Sequence, residues 1–387
     1  MSVTAAEGFV ASGTHAGIKD SGALDLSLVA TEDGAPVPTA AVFTSNLMTA
    51  PPVQVSREHL RANGGRAVAV ILNSGNANAA TGGPGVADAR EMCDRTAAEL
   101  GCSAQEVLVC STGVIGQRLP IGLIAGAIPR LAAGRSRDGS TDAAEALRTT
   151  DTVRKEAHVA TGGFVVGGMA KGAAMLAPDM ATMLAVLTTD ADTSPPELAD
   201  ALALGVERSF NALTVDGCQS TNDTVVLLAS ARRGPPSRTA LTDAIGQVCE
   251  ELARQMADDA EGSTKTVRVT VAGAASDLDA ARAARRICES ALVKCSWYGR
   301  DPYWGRIASE CGAAGIRFEQ SAISVSYGPF EVARNGIAVD HDAADLAEYM
   351  ERRHLEVTVD LGLGPGTATL LTNDLTHAYV DENMGTS

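Results

Sequence analysis

Short apolar runs that stop at small polar residues alternate along this chain with longer stretches in which apolar positions recur every three or four residues. Residues 68–72 (Val-Ala-Val-Ile-Leu) form one such run, ended by Asn73-Ser-Gly, and predict a buried strand. Residues 86–100 are spaced as an amphipathic helix and stop at Gly101. Residues 107–110 (Val-Leu-Val-Cys) predict a second buried strand, which delivers the chain to Ser111-Thr112-Gly113. Residues 164–166 and 183–187 read as strands on either side of a loop. Residues 196–210 and 239–258 read as helices, and 225–228, 267–271 and 323–326 as further strands. Residues 134–141 and 232–237, rich in Gly, Pro, Ser and charge, read as exposed loops.

This mixture implies a layered α/β or α+β architecture. A boundary is expected around residues 272–276 (Ala-Gly-Ala-Ala-Ser), dividing the chain into an α/β sandwich over 1–272 and an α/β portion over 273–387. A length of 387 residues is enough for one large domain or two. With 45% hydrophobic and 20% charged residues, the composition is that of a soluble globular protein. The formal charge of −16 argues against a nucleic-acid partner, which needs a basic footprint. No apolar run approaches the length of a membrane span, and the N-terminus lacks the basic-then-apolar pattern of a signal peptide. A cytoplasmic protein without a membrane partner is the expectation. The eight cysteines include no C-x-x-C and the six histidines no H-E-x-x-H, so free thiols and no metal are expected.

The strongest chemical signal lies in residues 171–190. The small residue Ala181 precedes Thr182, and an apolar run follows. Were that bond to break, Thr182 would carry a hydroxyl nucleophile and an α-amine base on one residue, a recognised way to activate a weak nucleophile. An α-amine has a reference pKa of about 7.7–8.0, so a modest lowering makes it a usable base near neutral pH. No His or Asp partner is then required. Cleavage would proceed by an N-to-O acyl shift, with Thr182 Oγ attacking the Ala181 carbonyl and water hydrolysing the ester. An unstrained amide resists this, so the loop must be held bent, and Pro178 fixes part of its backbone. Ser111-Thr112-Gly113 can aim a backbone N–H at a developing oxyanion, with the Thr112 hydroxyl as a second donor. Each segment also has a plainer reading: a Thr that opens a strand, and an ordinary Gly turn.

Several motifs occur in a fixed order: Gly-Ile-Lys-Asp-Ser-Gly (17–22), Ala-Val-Phe-Thr-Ser-Asn (41–46), Asn-Ser-Gly-Asn-Ala-Asn (73–78), Ser-Thr-Gly-Val-Ile-Gly (111–116) and Thr-Thr-Asp-Thr (149–152). The block from Lys171-Gly to Ala181-Thr182-Met-Leu comes next, then Ser-Thr-Asn-Asp-Thr (220–224) and Ala-Glu-Gly-Ser-Thr-Lys (260–265). Together they resemble the ornithine acetyltransferase family, self-cleaving N-terminal-threonine enzymes of arginine biosynthesis. The likeness runs from about Gly17 to Asp381. It implies stacked β-sheets covered by helices, in the N-terminal-nucleophile fold of ornithine acetyltransferase and DmpA, with a C-terminal α/β portion. It also implies cleavage at 181/182 into chains 1–181 and 182–387 that associate as a heterotetramer. The implied reaction is a ping-pong transfer of acetyl from N2-acetylornithine to glutamate. No cofactor is implied, although some members also accept acetyl-CoA as co-substrate.

Residue by residue, the resemblance makes Thr182 the nucleophile and Thr112 and Gly113 the oxyanion donors. Thr149 and Lys171 become substrate contacts, Glu261 the partner of ornithine's cationic end, and Asn383 and Ser387 ligand contacts from the tail. Without it, Lys171 reads as a surface lysine, Thr149 as a helix cap, Glu261 as one more acid after Asp258 and Asp259, and the tail as disordered. The chain departs from the family pattern in places. Tyr303 stands in Asp301-Pro-Tyr-Trp-Gly-Arg306 where Asn is usual, and Trp297 and Tyr298 appear in a chain with 3% aromatics. These changes spare Thr182, the oxyanion turn and Lys171 and bear on the acceptor. Two alternatives therefore stay open: a paralogue in specialised metabolism that acetylates another amine, and an N-terminal-nucleophile amidase that uses water.

Overall fold

The runs at 68–72 and 107–110 lie side by side in one sheet, for a reason that follows from the order of the elements. The chain begins with β1 (Phe9–Thr14), β2 (Leu26–Thr31), β3 (Val37–Phe43), α1 (Pro51–Ala62), β4 (Arg66–Ala67) and β5 (Ala69–Asn76). It continues through α2 (Gly82–Leu100), β6 (Val107–Val114), α3 (Ile121–Ala133) and α4 (Ser140–Leu147). β5 and β6 are parallel, with Val70 opposite Leu108, and α2 supplies the long crossover that a parallel pair needs. They close a four-stranded sheet in the order β1-β2-β5-β6. Ala69, Ile71, Val107 and Val109 pack with Met92 of α2 and Ile124 and Ile128 of α3. Val70, Leu72, Leu108 and Cys110 pack instead with Met169, Leu184, Val186 and Val226 of a second sheet. Strands covered on both faces read as continuous apolar runs rather than alternating ones. Gly101 ends α2 in the left-handed region at φ +70°, the usual glycine stop.

The second sheet adds β7 (Lys155–Ala160), β8 (Val165–Lys171), β9 (Leu184–Thr189) and, after α5 (Pro195–Arg208), β10 (Thr224–Ala229). Its order is β4-β3-β10-β9-β8-β7. β9 and β10 run parallel with Thr224 opposite Leu184, while β8 and β9 run antiparallel with Lys171 opposite Leu184. Ser194 and Glu197 form a capping box that opens α5 just before its two prolines. The long helix α6 (Arg238–Asp258) follows. One expected loop needs correction: within 134–141, Ser140 already begins α4, whose Ala143, Ala144 and Leu147 are buried in the core between the sheets.

This computed structural model describes residues 2–177 and 183–385. It divides into a first unit, running up to residue 211 and over 218–256, and a second unit of 212–217 and 257–385. The second unit contains β11 (Thr266–Ala274), α7 (Asp277–Glu289), α8 (Ala291–Tyr298), α9 (Trp304–Gly312), β12 (Ser324–Tyr327), β13 (Phe330–Arg334) and β14 (Ile337–Ala338). α10 (Ala343–Glu351), β15 (His354–Asp360), β16 (Gly366–Asn373) and α11 (His377–Glu382) complete it. Its sheet has the order β14-β13-β12-β15-β11-β16. The strand signals at 267–271 and 323–326 are β11 and β12. The boundary expected at 272/273 is displaced, because residue 272 lies inside β11, which pairs with β15 on one side and β16 on the other. The Ala-Gly-Ala-Ala stretch that suggested a linker is a β-bulge between Val271 and Ala274. Gly273 takes φ +68° there, and an added Cβ would sit 2.0 Å from Asp360 Oδ1.

Leu72 is fully buried between the two sheets of the first unit. Leu72→Ala should cost about 2–5 kcal/mol, read as a lower urea midpoint at unchanged slope.

Candidate active site

Thr112 and Gly113 sit at the end of β6, where the strand runs against the end of β5 with Ser74 opposite Thr112. Gly113 has φ +129°, and a Cβ on it would lie 2.3 Å from the Gly75 carbonyl carbon and 2.5 Å from the Asn76 nitrogen. Only glycine fits where two backbones approach so closely. Thr112 is buried, and its Oγ1 accepts from Lys171 Nζ at 3.4 Å. Accepting that bond leaves the hydroxyl proton of Thr112 to be donated elsewhere. Cys110 offers no rival nucleophile, since burial pushes its thiol up to about 12.

Lys171 ends β8 and is buried, not the surface lysine of the plainer reading. A buried ammonium needs a counter-charge, and Asp151 provides one in the loop between α4 and β7. Asp151 Oδ1 accepts from Lys155 Nζ at 2.6 Å and from the Gly172 N–H at 2.7 Å, and its Oδ2 accepts from the Thr149 N–H at 3.1 Å. Burial opposes its charge, but Lys171, Lys155 and the Gly172 N–H outweigh that and hold the carboxyl well below its ordinary range. Asp151 thus joins Thr149 to the Lys171-Gly172 turn. Thr149 is half-buried and follows the C-terminal end of α4, so it is no N-cap. Asp151 has no role in the sequence reading. The Thr-Thr-Asp-Thr motif is a turn signature, but the burial of its acid is a tertiary fact.

Residues 16–19, at the start of the Gly-Ile-Lys-Asp-Ser-Gly motif, connect to this arrangement through Arg148. The N–H groups of Ala16, Gly17, Ile18 and Lys19 all donate to the buried Asp25 carboxylate at 2.5–3.1 Å. Lys19 Nζ then donates to the Leu24 and Arg148 carbonyls at 2.9 and 2.7 Å, fixing the residue before Thr149. Ala181 and Thr182 lie outside the described residues, as do Pro178 and Ser387. The first described residue beyond Thr182 is Met183, whose N–H donates to Asp223 Oδ1 at 2.9 Å. Thr112, Gly113, Thr149 and Lys171 are therefore drawn together in the first unit.

Glu261 and Asn383 belong to the second unit. Glu261 is buried and its Oε2 accepts from Asn383 Nδ2 at 2.8 Å. Asn383 caps the C-terminus of α11 and also donates to the Tyr379 carbonyl. The tail is held there by Gly262, where a Cβ would come 2.4 Å from the Tyr379 nitrogen. Glu261 lines a cavity of about 220 Å³ with Asp216, Glu289, Asp374, Lys294 and Tyr379. Burial brings Lys294 down to about 8, and its Nζ donates to Thr372 Oγ1 and the Asn373 carbonyl. With four acids against one lysine, the lining suits a cationic group. Trp297 is fully buried in the core of this unit, and Tyr303 is half exposed with Arg306 over its ring. Among the described residues no group of three or more His, Cys, Asp and Glu could hold a metal, and no helix is long and apolar enough to cross a membrane.

The profile of the ArgJ family matches residues 10–385. This chain belongs to the ArgJ family. It is 46% identical over 388 residues to the arginine biosynthesis bifunctional protein ArgJ of Thermobifida fusca, covering all of both chains. To the protein of the same name from Mycobacterium tuberculosis H37Rv it is 46% identical over 397 residues, covering all of this chain and 96% of that one. Among solved structures, ArgJ from Bacillus halodurans is 35% identical and covers 51% of this chain and 95% of its own, at a TM-score of 0.49. Ornithine acetyltransferase of M. tuberculosis complexed with ornithine is 41% identical and covers 46% and 94%, at a TM-score of 0.42.

Two outcomes follow from the geometry of this ArgJ-family site. Asp151→Asn leaves Lys155 buried without its anion and should cost about 3–5 kcal/mol at pH 7 in urea unfolding. The folded-state carboxyl titrates below its unfolded value of 3.8. The parental advantage is therefore complete above that pH and shrinks as the pH falls through and below it. Gly113→Ala should reduce acetyl transfer by about 10²-fold or more, measured as kcat on protein of verified fold.

Proposed function

We propose that this ArgJ-family protein cleaves itself between Ala181 and Thr182 and then moves acetyl from N2-acetylornithine to glutamate through an ester on Thr182. The observation that carries this reading is the Lys171–Thr112 link, which joins the ends of β6 and β8 in the sandwich whose β9 begins two residues after Thr182. Thr182 Oγ attacks the acetyl carbonyl while the α-amine of the same residue takes its proton. The Thr112 hydroxyl and the Gly113 N–H donate to the oxyanion, and the nearby Lys171 ammonium offsets its charge. Collapse breaks the amide bond, the proton passes to the leaving amine, and ornithine departs. The amine of glutamate then attacks the ester and carries the acetyl away, regenerating the free hydroxyl.

Lys171 and Thr149 are assigned to the amino-acid substrate, Glu261 to the cationic end of ornithine, and Asn383 and Ser387 to the closing tail. The acid-lined surroundings of Glu261 support its assignment. Asp151 stays out of the chemistry, because a carboxylate that already accepts hydrogen bonds from Thr149, Lys155 and Gly172 and faces two lysines is a poor base. The reading needs no cofactor, and acetyl-CoA is a second donor to be assayed. The two mature chains associate, as a heterotetramer, and work in the cytoplasm.

Denaturing gels of the purified protein should show two fragments meeting at 181/182, and varying both substrates should give parallel double-reciprocal lines. Thr182→Ala should abolish both cleavage and transfer; an uncleaved, fully active Thr182→Ala protein overturns the reading. Thr112→Ala should lower kcat by 10²–10³, about 2.7–4 kcal/mol of transition-state stabilisation.

A further inference from the structure

The Ser-Thr-Asn-Asp-Thr motif at 220–224 has no part in the mechanism so far, yet its side chains reach both halves of the site. Asn222 is buried, and its Nδ2 donates to the Ala77 carbonyl at 2.6 Å and to the Ser111 carbonyl at 2.9 Å. Ser111 immediately precedes the Thr112-Gly113 turn. Asp223 is fully buried, and its Oδ1 accepts from the N–H of Met183, the residue bonded to Thr182. Among the described residues its Oδ2 has no hydrogen-bond partner. The motif's backbone is fixed independently: Thr44 N–H donates to the Asp223 carbonyl, Thr44 Oγ1 to the Ser220 carbonyl and Ala50 N–H to the Thr221 carbonyl. Thr224 N–H donates to the Met183 carbonyl at 3.2 Å.

We propose that Asn222 and Asp223 are positioning residues that clamp the polypeptide on the far side of Thr182 to the carbonyl ahead of the oxyanion turn, and so set the spacing between nucleophile and oxyanion donors. The proposal rests on Thr182 being the nucleophile. Two adjacent residues hold the two partners, so a shift of one is transmitted to the other through a single peptide unit. The Asp223 side chain serves as a hydrogen-bond acceptor shut away from solvent, not as a base. Burial raises its carboxyl well above the ordinary range, against the Met183 N–H, the Ser220 hydroxyl and Lys171. An amide, uncharged and of the same shape, keeps the acceptor oxygen. The same clamp acts in both reactions, since self-cleavage and acetyl transfer each need Thr182 Oγ and the oxyanion turn at one distance.

The test uses the full chain as parent, Asp223→Asn, Asp223→Ala, Asn222→Ala and Thr182→Ala, comparing cleavage on denaturing gels, kcat and KM for N2-acetylornithine, and thermal midpoint. Asp223→Ala and Asn222→Ala should lose about 10²-fold in both cleavage rate and kcat while KM stays near parental, the pattern of misplacement within a formed binding site. Asp223→Asn should restore both rates. Parental rates in Asp223→Ala and Asn222→Ala, with Thr182→Ala inactive, would overturn the clamp and leave the nucleophile intact. An active Thr182→Ala would instead overturn the nucleophile. A folded but inactive Asp223→Asn would show proton chemistry at Asp223 and likewise overturn the clamp. Should Asp223→Ala not fold, Asn222→Ala and Asp223→Asn decide the question.

Discussion

The interaction on which the site depends is the ionised Asp151 carboxylate, buried between two lysines and a backbone N–H. Taking three charges out of water carries a large desolvation cost, and it is tolerated only where the partners are held in place. Here the rest of the first unit holds them. Lys155 opens β7, Lys171 closes β8, and Asp151 stands in the loop that feeds the first of these strands. The lysine that reaches Thr112 is therefore oriented from the start, because the loop entering the same sheet carries its counter-ion. The arrangement favours a charged, fixed Lys171 over a mobile one.

The two-sheet construction explains how residues distant in sequence meet. β6 belongs to one sheet and β8 to the other, and their C-terminal ends come together across the core filled by Leu72, Leu108 and Met169. Side chains in that core set the separation of the layers. The polar ends of the strands inherit that separation.

Much of this architecture was legible from residue patterns. β5, α2, β6, β9, α5, β10 and α6 stand where apolar runs and helical spacing put them, because strands buried on both faces announce themselves and Gly101 stops a helix. β15 was missed although it alternates strictly, with Leu355, Val357 and Val359 buried and their neighbours exposed. A period-two pattern among charged residues is a weaker signal than an apolar run. Gly273 misled the placement of the boundary because a bulge and a linker draw on the same small residues. Motif order pointed to Thr112, Gly113 and Lys171 as candidates in the first unit and to Glu261 as a candidate in the second. Asp151 and Asn222 lie inside the motifs at 149–152 and 220–224, but nothing local marks an acid or an amide as buried. Their meaning comes from partners such as Gly172 and Ser111, far away along the chain.

The close approach of Gly113 to Gly75 has a consequence for how such an enzyme can diverge. Main chain rests on main chain there, so no side-chain substitution offers a gradual adjustment of the turn; any Cβ pushes two strands apart at once. Change must accumulate elsewhere, on walls built from side chains, while the spacing of these two strand ends stays fixed.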